Sequence, residues 1–254
     1  MLRIGAFMCF VGHGAFGIMT KEAWVAYFAV AGIGREMALR LMPLVGALDV
    51  FMGFLVLLRP RPIVAYWMVA WAIWTAVLRP LSGEPFWEAL ERAGNYGVPA
   101  ALAVLMIRPR GFRELFSGAR FRMSSLDAVT MARWVLTLTV SLLMLGHGAL
   151  GVMAKRGIIV NFASVLPADL ASMAAVYAGW LEIVLAVIVL ARPQPMLLLF
   201  ICAWKLATES LFVSAGAPFW EVVERGGSYA APVALAMLLT SRTRDDFASL
   251  EKPR

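Results

Sequence analysis

The stretch GHGAFGIMTK, residues 12–21, decides the fold because nearly the same ten residues, GHGALGVMAK, return at residues 146–155. Each copy contains one of the chain's two histidines, His13 and His147, and each histidine lies inside an apolar run long enough to enter a bilayer. A polar, titratable side chain inside such a run needs a partner. The pattern predicts a duplicated membrane-embedded unit with a histidine at the same place in each copy.

Two further segments recur at almost the same spacing. PFWEALERAGNYGVPAALAVL at residues 85–105 returns as PFWEVVERGGSYAAPVALAML at 218–238, and LRPRP at 58–62 returns as ARPQP at 191–195. The offset is 133 residues for these segments and 134 for the histidine motif, which implies one net residue of difference. We therefore expect two tandem units of similar length.

The composition is that of a membrane protein. Of 254 residues, 61% are hydrophobic and 15% are charged, whereas about a quarter are charged in soluble domains. The net charge is +7. The basic residues lie between apolar runs and form no basic face with interleaved aromatics, which argues against nucleic acid as a partner. Cys9 and Cys202 occupy non-equivalent positions and form neither a CxxC pair nor a disulfide framework.

Eight segments approach the roughly 20 apolar residues that a membrane-crossing helix requires. They cover residues 1–20, 38–58, 62–78, 85–107, 134–154, 170–191, 195–213 and 218–239. The fourth and eighth can span only if the charged stretch after Pro85 or Pro218 joins the same helix, and a proline at the first helical position favours this. The short segment at residues 23–33 is predicted to be interfacial or re-entrant, with Trp24 and Tyr27 at headgroup level.

The predicted fold is an all-α polytopic membrane protein with eight transmembrane helices in two parallel four-helix repeats. An even number of spans in each half makes both halves enter from the same side, related by an axis along the membrane normal. Lysine and arginine concentrate on one side, so both termini are predicted to lie in the cytoplasm, with the chain in the cell membrane as a multi-pass protein. The predicted regions are the first repeat (1–110), a basic cytoplasmic linker (111–130), the second repeat (131–241) and a charged cytoplasmic tail (242–254).

The second span of each half resembles a known family. GALDVFMGFLVLLRPRPIVAYWMVAW at residues 46–71 and GWLEIVLAVIVLARPQPMLLLFICAW at 179–204 are similar to the acid-bearing second helix and basic turn of DoxX-like membrane proteins. The resemblance implies four-helix units and an accessory or redox-linked role, in some cases with quinones. The histidine and FWE..ER.G.Y..P motifs are not part of that resemblance.

Polar residues are predicted to form a layer in the outer half of the membrane. Residues spaced at i, i+4, i+7, i+8 and i+11 share one face of a continuous helix. These residues are Glu88, Arg92, Asn95, Tyr96 and Pro99 in the first half, and Glu221, Arg225, Ser228, Tyr229 and Pro232 in the second. With His13 or His147 and a mid-span acid, Asp49 or Glu182, each half gathers a histidine, an acid and a Glu–Arg pair.

A purely structural interpretation of this layer is that its side chains tie helices together. Glu88 would then pair with Arg92, while His13 would bond Asp49 or Tyr96. Glu91 and Glu224 would lie near the external headgroups. Pro99 and Pro232 would free the carbonyls of Asn95 and Ser228 and kink the helix.

Functional interpretations remain open beside it. The first is a small-molecule or quinone pocket in each half, where His13 and Asp49 move a proton and Arg92 positions a polar headgroup. The second is a haem ligated axially by His13 and His147. A dedicated zinc or other metal site is disfavoured, because the histidines lack further ligands at suitable spacing.

The third functional interpretation is transport of a small solute or ion between the two halves. Lys205 and Glu209, an i, i+4 pair, replace Ala72 and Ala76, although such a pair can also be purely structural. Nucleophile elbows, phosphate loops and dinucleotide fingerprints are missing from the sequence, which favours a protein that is not an enzyme. The bilayer is the predicted partner, and another membrane protein is the alternative partner.

Overall fold

The computed structural model describes residues 1–123 and 125–250, with side chains described as far as residue 241. Helices make up nearly all of its regular structure, and Met106 and Phe121 form an isolated antiparallel bridge. The charged tail predicted for residues 242–254 continues the last helix to Leu250. Residues 251–254 lie outside the described part.

The first half contains six α-helices and one short 3-10 turn. They are α1 (Leu2–Ile18), the turn Glu22–Trp24, α2 (Val25–Val30), α3 (Arg35–Leu58), α4 (Pro62–Leu81), α5 (Trp87–Glu91) and α6 (Ala93–Leu105).

The linker and the second half contain seven further helices. They are α7 (Phe112–Leu115), α8 (Leu126–Val152), α9 (Arg156–Ala163), α10 (Ala168–Ala191), α11 (Pro195–Ser214), α12 (Trp220–Glu224) and α13 (Gly226–Leu250). The linker predicted for residues 111–130 therefore ends early, because α8 begins at Leu126 with the Ser125 hydroxyl accepting from the backbone N–H of Ala128.

Five helices among the described residues are long and apolar enough to cross a membrane, namely α3, α4, α8, α10 and α11. A sixth span results if α1 and residues 22–30 count as one, although they are bent by 97°. The all-helical, multi-pass membrane character predicted from the sequence agrees with this arrangement.

Equivalent helices in the two halves have equal lengths and begin at equivalent prolines. Both α3 and α10 have 24 residues, and both α4 and α11 have 20. Pro62 and Pro195 start their helices at the first turn, where a missing N–H costs no intrahelical bond. The same local signals therefore place the same boundaries in both halves.

The continuous fourth and eighth helices predicted from the sequence are wrong. The chain leaves α-helical geometry at Arg92 and at Arg225, and their carbonyls accept 3-10-type bonds from Asn95 and Ser228. The break therefore lies well before Pro99, where the kink was predicted. It leaves α5 and α12 as single turns.

Glycines allow α1 to pack closely on α3, and α8 on α10. A Cβ at Gly17 would lie 2.8 Å from the Cα of Gly46, and one at Gly151 would lie 3.0 Å from the Cα of Gly179. Small residues commonly permit such approach between membrane helices. Each histidine is thereby held beside the acid-bearing helix of its own half.

The same two helices also pack across the halves. Helix α1 contacts α12 and α13, and α8 contacts α5 and α6. At Gly12 a Cβ would meet the backbone of Glu224, and at Gly146 it would meet that of Glu91. The two halves are therefore interlocked and share one apolar core, which contains buried residues from both.

Candidate functional site

His13 pairs with the buried acid of the second long helix. Its Nδ1 lies 3.0 Å from Oδ2 of Asp49, whose side chain is 1% exposed. Trp24 stacks on the imidazole with ring centroids 4.4 Å apart. Trp24 is itself buried, because the bend after α1 folds the indole over the histidine.

His147 has the corresponding arrangement in the second half. Its Nδ1 lies 2.5 Å from Oε2 of Glu182, and the indole N–H of Trp204 donates to Oε1 of the same carboxylate at 2.8 Å. Each imidazole thus faces an acid of its own half. The geometry groups each histidine with a carboxylate through Nδ1.

The arginines at the helix breaks form ion pairs across the halves. Arg92 Nη1 lies 2.8 Å from Oε1 of Glu224, and Arg225 Nε lies 4.0 Å from Oε1 of Glu91. Both glutamates are buried, so they are not solvated as was expected of residues near the headgroups. The predicted pairing of Glu88 with Arg92 is also wrong, because Arg92 pairs instead with Glu91 and Glu224.

Lysines at the ends of the histidine motifs complete the cross-half pairing. Lys21 Nζ lies 2.8 Å from Oε1 of Glu221, and Lys155 pairs with Glu88. Oε2 of Glu88 also lies 3.4 Å from Nη1 of Arg79. These lysines were missed at the sequence level, although both are the last residue of the recurring motif.

A continuous series of charged side chains crosses the interior of the second half. Lys205 is 0% exposed, with Nζ 2.8 Å from Oε1 of Glu209 and 3.6 Å from Oε1 of Glu182. Glu209 Oε2 lies 2.6 Å from Nε of Arg225, whose guanidinium stacks on Phe212. Arg225 also pairs with Glu221 at 2.7 Å.

The first half instead contains a cavity of about 190 Å³. Aromatic and aliphatic side chains form most of its wall, including Trp24, Tyr27, Phe28, Trp71 and Trp74. Its polar lining comprises His13, Thr75, Arg79, Arg92 and Asn95. A smaller space beside it is bordered by Asp49, Trp71 and Ala72.

Two buried polar atoms at this end of the cavity lack hydrogen-bond partners among the described residues. They are Oδ1 of Asp49 and the indole Nε1 of Trp71. In the second half the equivalent indole, Trp204, reaches Glu182, but aspartate is one methylene shorter. Because an unsatisfied buried polar group is costly, this pair indicates a place for a bound polar group.

The remaining predicted residues lie elsewhere. The Tyr96 hydroxyl donates to the carbonyl of Ala89 at 3.3 Å. Tyr229 is buried, and its hydroxyl has no partner in the described part of the chain. No group of three His, Cys, Asp or Glu side chains that could hold a metal ion occurs within that part.

The sequence alone did not identify Trp24 and Trp71 as site residues. Tryptophans in apolar spans are typical of packing and interfacial anchoring, so neither gave a distinctive signal. Comparison with family models, with curated proteins and with solved structures gave no match to this chain.

Proposed function

We propose that this protein binds one class of small amphipathic molecule in the first-half cavity, and that His13 and Asp49 exchange a proton with it. The observation that carries the proposal is the pair of buried unpartnered atoms, Asp49 Oδ1 and Trp71 Nε1, at the polar end of an aromatic-walled cavity. Pockets of this kind, mostly apolar with a few convergent polar groups, are typical of ligand sites.

A hydroxyl group on an aromatic ring satisfies both unpartnered atoms at once. It donates one hydrogen bond to Asp49 Oδ1 and accepts one from Trp71 Nε1. An ammonium group satisfies only the carboxylate, because it has no acceptor. The aromatic wall favours a flat ring. A quinol, the reduced form of a quinone, has both properties.

Proton exchange gives the histidine a role. The hydrogen-bonded His13–Asp49 pair can accept a proton from a bound quinol hydroxyl and return it, with no change in oxidation state. Oxidation of the quinol, which removes two electrons and two protons, would belong to a separate quinol-oxidising enzyme of the membrane. This accessory role agrees with the DoxX-like resemblance of residues 46–71 and 179–204, and it requires no independent enzymatic activity of this chain.

The architecture we propose has eight spans, namely the five long apolar helices, α1, and the two broken pairs α5–α6 and α12–α13. The support is the equal length and spacing of α3 with α10 and of α4 with α11, together with the recurring sequence motifs. The distribution of lysine and arginine supports a multi-pass protein of the cell membrane with both termini in the cytoplasm.

Transport and haem binding remain alternatives, and the contact between the halves weighs against transport. The contact between the halves is closed by the Arg92–Glu224 ion pair and by close approach of Gly94 to Gly227. His13 and His147 each face a carboxylate of their own half.

The test is binding of a short-tailed ubiquinol to detergent-purified protein, measured by equilibrium dialysis. We expect saturable binding that the double variant His13→Ala/Asp49→Asn weakens at least tenfold. The matched control, His147→Ala, removes the equivalent histidine of the second half and should leave binding unchanged. Absence of saturable binding to the wild-type protein would refute the proposed function.

A further inference from the structure

The two halves differ most where the cavity lies. Ala72 and Ala76 correspond, at an offset of 133 residues, to Lys205 and Glu209. Ala72 borders the small space beside Asp49, and Ala76 borders the main cavity. The first half is therefore open at the two positions where the second half places long charged side chains.

In the second half these side chains fill the interior. The Lys205 ammonium lies between the carboxylates of Glu182 and Glu209. Glu209 in turn reaches Arg225. The pair thus joins the acid on α10 to the arginine at the break before α13, with a hydrogen-bond donor at one end and an acceptor at the other.

The first half has residues equivalent to the two ends of this series of charged side chains, but it lacks the two charged residues between them. Asp49 corresponds to Glu182, and Arg92 corresponds to Arg225. Asp49 Oδ1 has no hydrogen-bond partner among the described side chains, and Arg92 borders the cavity. Alanine at positions 72 and 76 supplies neither the donor nor the acceptor that Lys205 and Glu209 supply in the other half.

We infer that the second half is a copy of the binding site occupied by its own Lys205–Glu209 pair, so that each chain binds one molecule, in the first half only. The bound molecule takes the place of that pair, with a donor toward Asp49 and an acceptor toward Arg92. A quinol ring with oxygens at opposite positions presents one hydroxyl to each end. The inference rests on the proposed function, and it adds the stoichiometry and the two-ended polar character of the ligand.

The test exchanges the two positions between the halves and counts bound short-tailed ubiquinol per chain by equilibrium dialysis. The wild type should bind one molecule. Ala72→Lys/Ala76→Glu, which fills the first half, should bind at least tenfold more weakly, and Lys205→Ala/Glu209→Ala, which opens the second, should bind two molecules. The volume-matched control Lys205→Met/Glu209→Gln should still bind one.

The outcomes separate the inference from the proposed function. A wild type that binds no quinol refutes the proposed function. A wild type that binds two molecules, a folded filled variant that binds normally, or a folded opened variant that still binds one overturns the inference alone. Size-exclusion chromatography and helical circular dichroism establish folding, and Ala72→Leu, which adds only bulk beside Asp49, replaces the filled variant if that variant does not fold.

Discussion

Arg92 and Glu224 lie 132 positions apart in the sequence, and their side chains meet at 2.8 Å in the interior. The arginine follows the single turn α5, and the glutamate ends the equivalent turn α12. Their pairing joins the two halves where both helices break. The halves therefore depend on each other for neutralisation of buried charge.

We predict that Arg92→Ala or Glu224→Ala destabilises the protein by about 3–5 kcal/mol, because each leaves a buried charge without its partner. The free energy of unfolding can be measured by titration with SDS in mixed micelles. The control is Glu36→Ala, which breaks the exposed Arg40–Glu36 pair and should cost less than about 1 kcal/mol. Equal effects for buried and exposed pairs would contradict the interlocked arrangement.

Close contact of α1 with α12 gives a second prediction. A Cβ at Gly12 would lie 2.6 Å from the Cα of Glu224, so Gly12→Ala must displace one of the two backbones. We expect a loss of about 1–3 kcal/mol, measured in the same titration. Gly157→Ala, where a Cβ meets nothing within 4 Å, should be neutral. If Gly12→Ala causes no loss of stability, α1 does not pack against α12 as described.

Trp24 supports a third prediction. Its indole stacks on His13 and borders the cavity, so Trp24→Ala removes part of the aromatic wall and loosens the imidazole. Affinity for short-tailed ubiquinol should fall at least tenfold in equilibrium dialysis. Trp180→Ala, at an exposed position on α10, is the matched control. If both substitutions weaken binding equally, the quinol does not bind in this cavity.

Some of this structure can be predicted from the sequence. Prolines 62 and 195 mark helix starts, and the mid-span acids Asp49 and Glu182 are the obvious partners for histidines in apolar runs. These are local signals, or signals that arise from the high cost of a polar group in a membrane. Because each motif occurs twice, the motifs can be recognised from the sequence alone.

The cross-half contacts could not be predicted in the same way. Placing Glu88 and Arg92 on one helix face predicts that they pair, but Arg92 pairs with Glu224 of the other half. The equivalent Arg225 does pair with Glu221, so residue spacing alone does not decide the partner. The replacement of Ala72 and Ala76 by Lys205 and Glu209 is visible in the sequence. That it separates a cavity from a filled interior depends on how α4 and α11 pack, which residue spacing does not show.

The proposed orientation gives a fourth prediction. In a Cys202→Ala background, Arg113→Cys in the linker should react with a membrane-impermeant maleimide only after cells are permeabilised. Gly157→Cys on the opposite side should react in intact cells. Cys9 is buried and should contribute little labelling. The reverse pattern would place both termini outside the cytoplasm.

The most direct test of the central claim is mass spectrometry of organic extracts from protein purified gently from its own membranes. Wild-type protein should carry about one molecule per chain of a ring compound with two oxygens, and Ala72→Leu, which fills the space beside Asp49, should carry little. Equal amounts of extracted compound in the two preparations, or none enriched in either, would contradict a binding site in the first-half cavity.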